Sequence, residues 1–220
     1  VLVRESMSPD LRVQCILQDD ARSRVVADAH PDGTTRGLVQ LARGADTFAI
    51  GERSIMQVAR TLSSGALHQG VVSVPEQAGI AGAFMGYMQS SEQITTMIAL
   101  GTLLVDGEIA ASGGYLVQIL PEYKEREGAM AVMTLRLEDF QDIQARLTQH
   151  DASPDHLVEE IFYGMDYTLL GDSPLRFGCN CSKERVMASL HTLGADDLLS
   201  LIEAGDELDM SCDHCGTPYM

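Results

Sequence analysis

The stretch Gly178-Cys179-Asn180-Cys181, followed after thirty residues by Cys212-Asp213-His214-Cys215-Gly216, decides how the end of this 220-residue chain is organised. Neighbours two apart on an extended chain point the same way, so a C-x-C pair can offer two sulfurs to one ion. A C-x-x-C pair does the same across a tight turn, where Gly216 can relieve the backbone. Four thiolates at about 2.3 Å from a central ion match tetrahedral zinc. All four positions are then filled by protein, which leaves no place for a metal-bound water and argues against zinc-catalysed hydrolysis. Between the pairs, residues 183–193 and 195–204 read as two short helices broken at Gly194.

The residues alone leave several readings of this centre open. The centre could be purely structural, as in a zinc ribbon serving a binding module. The pairs could be native disulfides, although one cysteine plus two close pairs resembles a cytosolic metal site more than a secreted framework. The C-x-x-C could be the dithiol of a thiol–disulfide oxidoreductase, but that motif belongs early in a βαβ unit and here lies near the end of the sequence. His214 could replace a thiol as ligand, yet four thiols are already present.

Upstream, Leu11, Val13, Cys15 and Leu17 alternate with Arg12 and Gln14, which is strand periodicity. Residues 37–41 and 70–74 read as further strands, and 77–91 as a helix rich in Ala, Met and Gly. Two strands are expected at 96–105 and 115–120, with the Asp106-Gly107 turn signal between them. After Pro121 comes a charge run, Glu122 to Glu127, and then helices at 137–149 and 154–163. The second of these has Ser153 as N-cap, Pro154 at the first helical position and Asp155 in the first turn.

A hydrophobic fraction of 45% supports a packed core. The net charge of −17 and pI of about 4.5 make nucleic acid and anionic membrane surfaces poor partners, because phosphates need Lys and Arg to displace counterions. No run approaches the apolar length of a membrane span, and Val1-Leu2-Val3-Arg4-Glu5 carries neither a secretory signal nor an initiator Met, so the chain reads as part of a longer polypeptide. Cys15 reads as a core thiol. Met130, Met133 and Met165 read as packing residues, with flexible client contact as the alternative. Lys183 and Arg185 could offset the charge of a four-thiolate centre. His30, His68, His150, His156 and His191 are scattered, and neither a nucleotide loop nor a nucleophile–base pattern is present, so the chain is read as a non-enzyme.

Phe177-Gly178-Cys179-Asn180-Cys181-Ser182-Lys183-Glu184-Arg185 and Asp209-Met210-Ser211-Cys212-Asp213-His214-Cys215-Gly216 closely resemble the thirty-three-kilodalton heat-shock protein family of redox-regulated chaperones. Two upstream stretches, Ser90-Ser91-Glu92-Gln93-Ile94-Thr95-Thr96 and residues 111–121 around Ser112-Gly113-Gly114-Tyr115, match in the same order. The resemblance implies an α+β fold: a β-rich core domain at 1–121, a helical linker at 122–172 and a small zinc-binding switch domain at 173–220. It also implies a further N-terminal segment before Val1 and a tail beyond Met220. The implied activity is that of a cytoplasmic, ATP-independent holdase of the stress response. One zinc held by Cys179, Cys181, Cys212 and Cys215 marks its inactive reduced form. Oxidation is implied to form the disulfides Cys179–Cys181 and Cys212–Cys215, release zinc, unfold the switch with the linker, and expose surface that binds unfolding client proteins; the active form tends to homodimerise. The energetics allow such an output. A structural zinc contributes on the order of 10–16 kcal/mol to a small module, whereas whole domains are stable by about 5–15 kcal/mol.

Overall fold

The computed structural model describes residues 1–7, 10–62, 64–120, 127–149, 152–188, 190, 193–205 and 208–219, without the side chains of 127, 129 and 130. The charge run at 122–126, His150, His191 and the Met130 side chain lie outside the described residues. The architecture is mixed α+β. A six-stranded sheet has the order β5-β4-β1-β2-β3-β8, built from β1 (Arg12–Gln18), β2 (Arg24–Ala29), β3 (Thr34–Gln40), β4 (Ile55–Thr61), β5 (Leu67–Ser73) and β8 (Arg176–Phe177). All neighbours are antiparallel except β3 and β8, which run parallel.

One face of this sheet is sealed by α1 (Leu2–Met7) and α2 (Gly79–Tyr87). Val13 and Leu17 of β1 and Met56 and Val58 of β4 bury against Val3, Ala83, Tyr87 and Met88. The expected helix at 77–91 is shorter, because after Tyr87 the backbone widens into a single π turn, Met88–Glu92, closed by Gln93 in the left-handed region at φ 59°. The turn brings Glu92 under the sheet, where its carboxylate accepts from Tyr87 Oη at 2.7 Å and from Arg60 at 3.1 Å. The Ser90–Thr96 stretch is thus a packing device. Cys15 packs against this cluster, and burial pushes its thiol up to about 12, so it stays protonated and inert.

A second layer is the hairpin of β6 (Thr96–Val105) and β7 (Glu108–Gln118). It turns at Asp106-Gly107, both with positive φ, so the second strand starts seven residues earlier than residue 115. Helices α3 (Glu127–Glu138), α4 (Ile143–Leu147) and α5 (Pro154–Ile161) cover it through Leu137, Phe140, Ile143 and Ile161, with Met133 packed alongside. The expected helix at 137–149 is instead the end of α3, a break and α4. Asp142 caps α4 by accepting from Ala145 N at 2.9 Å, and Phe140 in the break turns inward. Ser153 caps α5 as expected, accepting from His156 N.

The remaining elements are α6 (Lys183–Ala188), α7 (Ala195–Ala204), β9 (Met210–Ser211) and β10 (Pro218–Tyr219). No described helix is long and apolar enough to cross a membrane.

Leu137 is fully buried between the hairpin and its helices. Leu137→Ala should lower unfolding free energy by about 2–5 kcal/mol in a urea titration; a change below about 0.5 kcal/mol would show that these helices do not seal the hairpin.

Candidate metal centre and its seat on the core sheet

The two cysteine pairs meet although they lie far apart in sequence. Cys179, Cys181, Cys212 and Cys215 place their sulfurs within 4.8 Å of one another. The shortest approaches run across the pairs: Cys179 to Cys212 at 3.6 Å and Cys181 to Cys215 at 3.5 Å. Ideal tetrahedral zinc–thiolate geometry separates sulfurs by about 3.8 Å, so the set fits zinc. None of the four is joined in a disulfide.

Local structure explains the convergence. Residues 178–181 follow β8 without regular secondary structure, and Ser182 caps α6, its Oγ accepting from Arg185 N. The second pair sits on a knuckle closed by the β9–β10 hairpin. Cys212 N donates to Thr217 O at 2.9 Å and Gly216 N to Cys212 O at 2.7 Å, with Gly216 in the left-handed region at φ 71°. The helical connection between the pairs returns the chain to its start.

The surroundings pull three of the thiols in different directions. Thr217, through its hydroxyl at 3.1 Å and its backbone, draws the Cys215 pKa down to about 6. Tyr219 donates to Cys181 Sγ at 2.9 Å and favours its thiolate, but the hydrogen bond with Cys215 and burial outweigh this and push Cys181 up to about 11. Burial opposes ionisation of Cys179, yet hydrogen bonds from the Cys181 backbone and the Arg36 side chain win and hold it below the ordinary thiol range. Thiolates this close repel one another, so full ionisation of the set calls for a cation at its centre.

Arg36 comes from the core. It spends Nε and Nη2 on Asp28 Oδ2, at 3.1 and 3.0 Å, and its Nη1 donates to Cys179 Sγ at 3.6 Å. Asp28 is fully buried and also receives Arg12 at 2.8 and 2.9 Å. Burial pushes the Asp28 carboxyl up, but the Arg12 and Arg36 guanidinium groups outweigh it and hold the carboxyl below the usual range. An ionised carboxylate therefore fixes the guanidinium that faces the sulfurs. The positive charge beside Cys179 is thus supplied by a core strand. Arg185, which the sequence offered for that role with solvated surface as the plainer reading, donates to Asn180 O at 2.8 Å.

Main-chain pairing completes the seat. Arg176 N donates to Gly33 O at 3.1 Å and Gly178 N to Thr35 O at 3.0 Å. Arg176 also reaches Thr34 Oγ1 and Asp32 at 2.9 and 2.8 Å. A Cβ on Gly33 would stand 2.0 Å from Pro174 O, so only glycine admits this approach. His214 joins the seat and not the ligand cluster, with Nδ1 3.4 Å from Gly37 O.

The sequence picked out all four sulfurs. It missed Arg36, Thr217 and Tyr219; the aromatic and hydroxyl just after Cys215 were a usable signal, whereas Arg36 acts only through sheet register. Of the scattered histidines, His30 lies 3.4 Å from Asp28, and His68 and His156 lie beside Arg60 and Glu160.

Arg36→Met should keep the apolar stem and remove the donor. Zinc affinity measured by chelator competition should fall about 10-fold or more, as for other groups that orient metal ligands; unchanged affinity would mean that Arg36 serves the core alone.

Comparison with known proteins agrees with this geometry. Residues 1–220 match the family model described as Hsp33 protein. The 33 kDa chaperonin of Syntrophotalea carbinolica is 32% identical over 185 residues, covering 83% of this chain and 63% of that protein. That of Geobacter sulfurreducens is 29% identical, covering 89% of this chain and 67% of its own length. The chain thus spans about two thirds of the length of these relatives. The crystal structure of the 33 kDa chaperonin from Thermotoga maritima superposes with a TM-score of 0.78 at 22% identity over 99% of this chain and 77% of that one, a likeness of fold. With its whole described length matched by the family model and its fold by a family structure, the chain belongs to the Hsp33 family.

Proposed function

We propose that this chain works as a redox-gated, ATP-independent holdase of the cytoplasm, binding unfolding proteins under stress and catalysing no reaction. In this reading residues 1–121 form the core, 122–172 the linker and 173–220 the switch. Cys179, Cys181, Cys212 and Cys215 hold one zinc as thiolates in the inactive form. The observation that carries the reading is the closed four-sulfur cluster seated on the core sheet through Arg36 and β8. A centre whose ligands also pin a segment to the core couples ligand chemistry to conformation.

Oxidation of Cys179 with Cys181 and of Cys212 with Cys215 forms one S–S bond in each pair and removes two electrons from it. One hydrogen peroxide accepts those electrons with two protons and leaves as two waters. A disulfide sulfur is neutral and a weak ligand, so the set that holds the ion is lost, and the Arg36 contact loses its anionic partner. The freed segment carries apolar side chains that already lie largely in water: Tyr163 is 80% exposed, Leu170 95% and Phe177 77%. Burial of client segments against such surface would drive capture, while the net charge of −17 keeps the complex soluble and disfavours nucleic acid. The same apolar surface would favour homodimers of the oxidised form.

The test is light scattering from a heat-unfolding client, with the zinc-loaded reduced protein or the peroxide-treated protein added. Suppression by the oxidised form alone is expected, and Cys179→Ser should suppress without oxidant and bind zinc weakly. Equal scattering curves for both redox forms would reduce the centre to a structural one.

A further inference from the structure

The outer edge of β3 carries a strand only over its first two residues. Thr34 and Thr35 pair with Arg176 and Phe177, and no described residue pairs as a strand with the edge beyond them. In an antiparallel pair, alternate residues turn their N–H and C=O away from the partner strand. Thr35 accepts from Gly178 on the outer side, so Gly37 and Val39, two and four residues on, also face outward with their backbone groups. His214 near Gly37 O is consistent with that alternation. Val39 is 60% exposed and Leu41 43%, giving the open part of the edge an apolar flank. The edge also has room for a second backbone, because Gly33 admits Pro174 where any side chain would collide.

We propose that the outer edge of β3, from Gly33 to Gln40, is a docking rail for extended segments of unfolded polypeptide, and that residues 174–178 occupy its first part as an internal stand-in until the switch melts. The inference rests on the holdase reading above and adds the surface and the mode of recognition. The occupant's chemistry is read from the stand-in: an extended backbone in parallel register, joined to β3 by N–H donors to Gly33 O and Thr35 O. Main-chain pairing is indifferent to side-chain sequence, which suits a protein that must hold many unrelated clients. Exposed edges attract foreign strands, and natural proteins cover them. Here the cover is short and fastened by Arg176 and by the Arg36–Cys179 contact. Loss of the thiolate on oxidation removes the Arg36–Cys179 fastening, which loosens the cover and lets a client strand displace what remains of it.

Val39→Pro tests the rail. Its outward N–H has no strand partner among the described residues, and proline is tolerated on sheet edges when the lost donor faces solvent. Val39→Thr keeps that donor and serves as the control. The probe is reduced, carboxymethylated lactalbumin, a permanently unfolded chain, titrated against the peroxide-oxidised full chain. Val39→Pro should bind it roughly fivefold to tenfold more weakly, the loss expected for one or two hydrogen bonds. Val39→Thr should bind like the parent, and all three proteins should release zinc alike. In the parent, the Gly37 and Val39 amides should gain hydrogen-exchange protection when the probe binds. Parent-like affinity of folded Val39→Pro would overturn the proposal, and so would unchanged exchange at Gly37 and Val39; the exchange result decides alone if the proline variant fails to fold. Should the oxidised parent bind no probe at all, the holdase reading falls and the rail with it, whereas binding by the parent with no effect at β3 removes only the rail.

Discussion

Four sulfurs crowded within 4.8 Å are stable as thiolates only around a cation, and in the proposed function the C-terminal part of this fold depends on that constraint. The elements around the cluster are short. β8, β9 and β10 have two residues each, α6 has six, and the described residues of α6 and α7 bury no side chain fully. Elements of this size cannot offset the entropy of ordering from their own packing. The rest of the chain is different in kind, since two clusters of buried apolar side chains support the sheet and the hairpin without help from the four clustered cysteines.

The link between these parts is electrostatic and main-chain rather than apolar. Asp28 is buried on the sheet face opposite the α1 and α2 core, with its charge balanced by Arg12 and Arg36, and Arg36 extends its remaining donor to Cys179. A neutral sulfur would still pack there but would no longer attract a guanidinium. Such a contact depends on the charge of the sulfur, which makes it suitable for a state that must be left on demand. By contrast, an interface of buried leucines would hold regardless of redox state.

The sequence made the four-cysteine cluster legible because cysteine chemistry is local: two close pairs and a turn glycine suffice. It also made the α+β class, the 96–118 hairpin and the Ser153 cap legible, through alternation, Asp106-Gly107 and the Ser-Pro-Asp start. What escaped it acts at long range. β2 has a charged residue, Asp28, at a buried position, which spoils the apolar alternation; its partners arrive from neighbouring strands. β8 is two residues of backbone pairing with no side-chain pattern to read. The helix expected at 137–149 failed at Asp139–Asp142, where an inward Phe140 and the Asp142 cap restart the chain, a choice made by packing against the hairpin. Arg36 was one cation among many until the register put it opposite Cys179.

The most direct test of the account is a single time course on the zinc-loaded reduced protein exposed to hydrogen peroxide, following zinc release with a metallochromic dye and hydrogen exchange at the amides of Arg176 and Gly178, whose acceptors are Gly33 O and Thr35 O. The account predicts that protection at these two amides is lost in step with the metal while β1 and β4 amides stay protected. Zinc leaving with Arg176 and Gly178 still protected would contradict it, since the thiolate cluster would then not be what holds this segment on the core sheet.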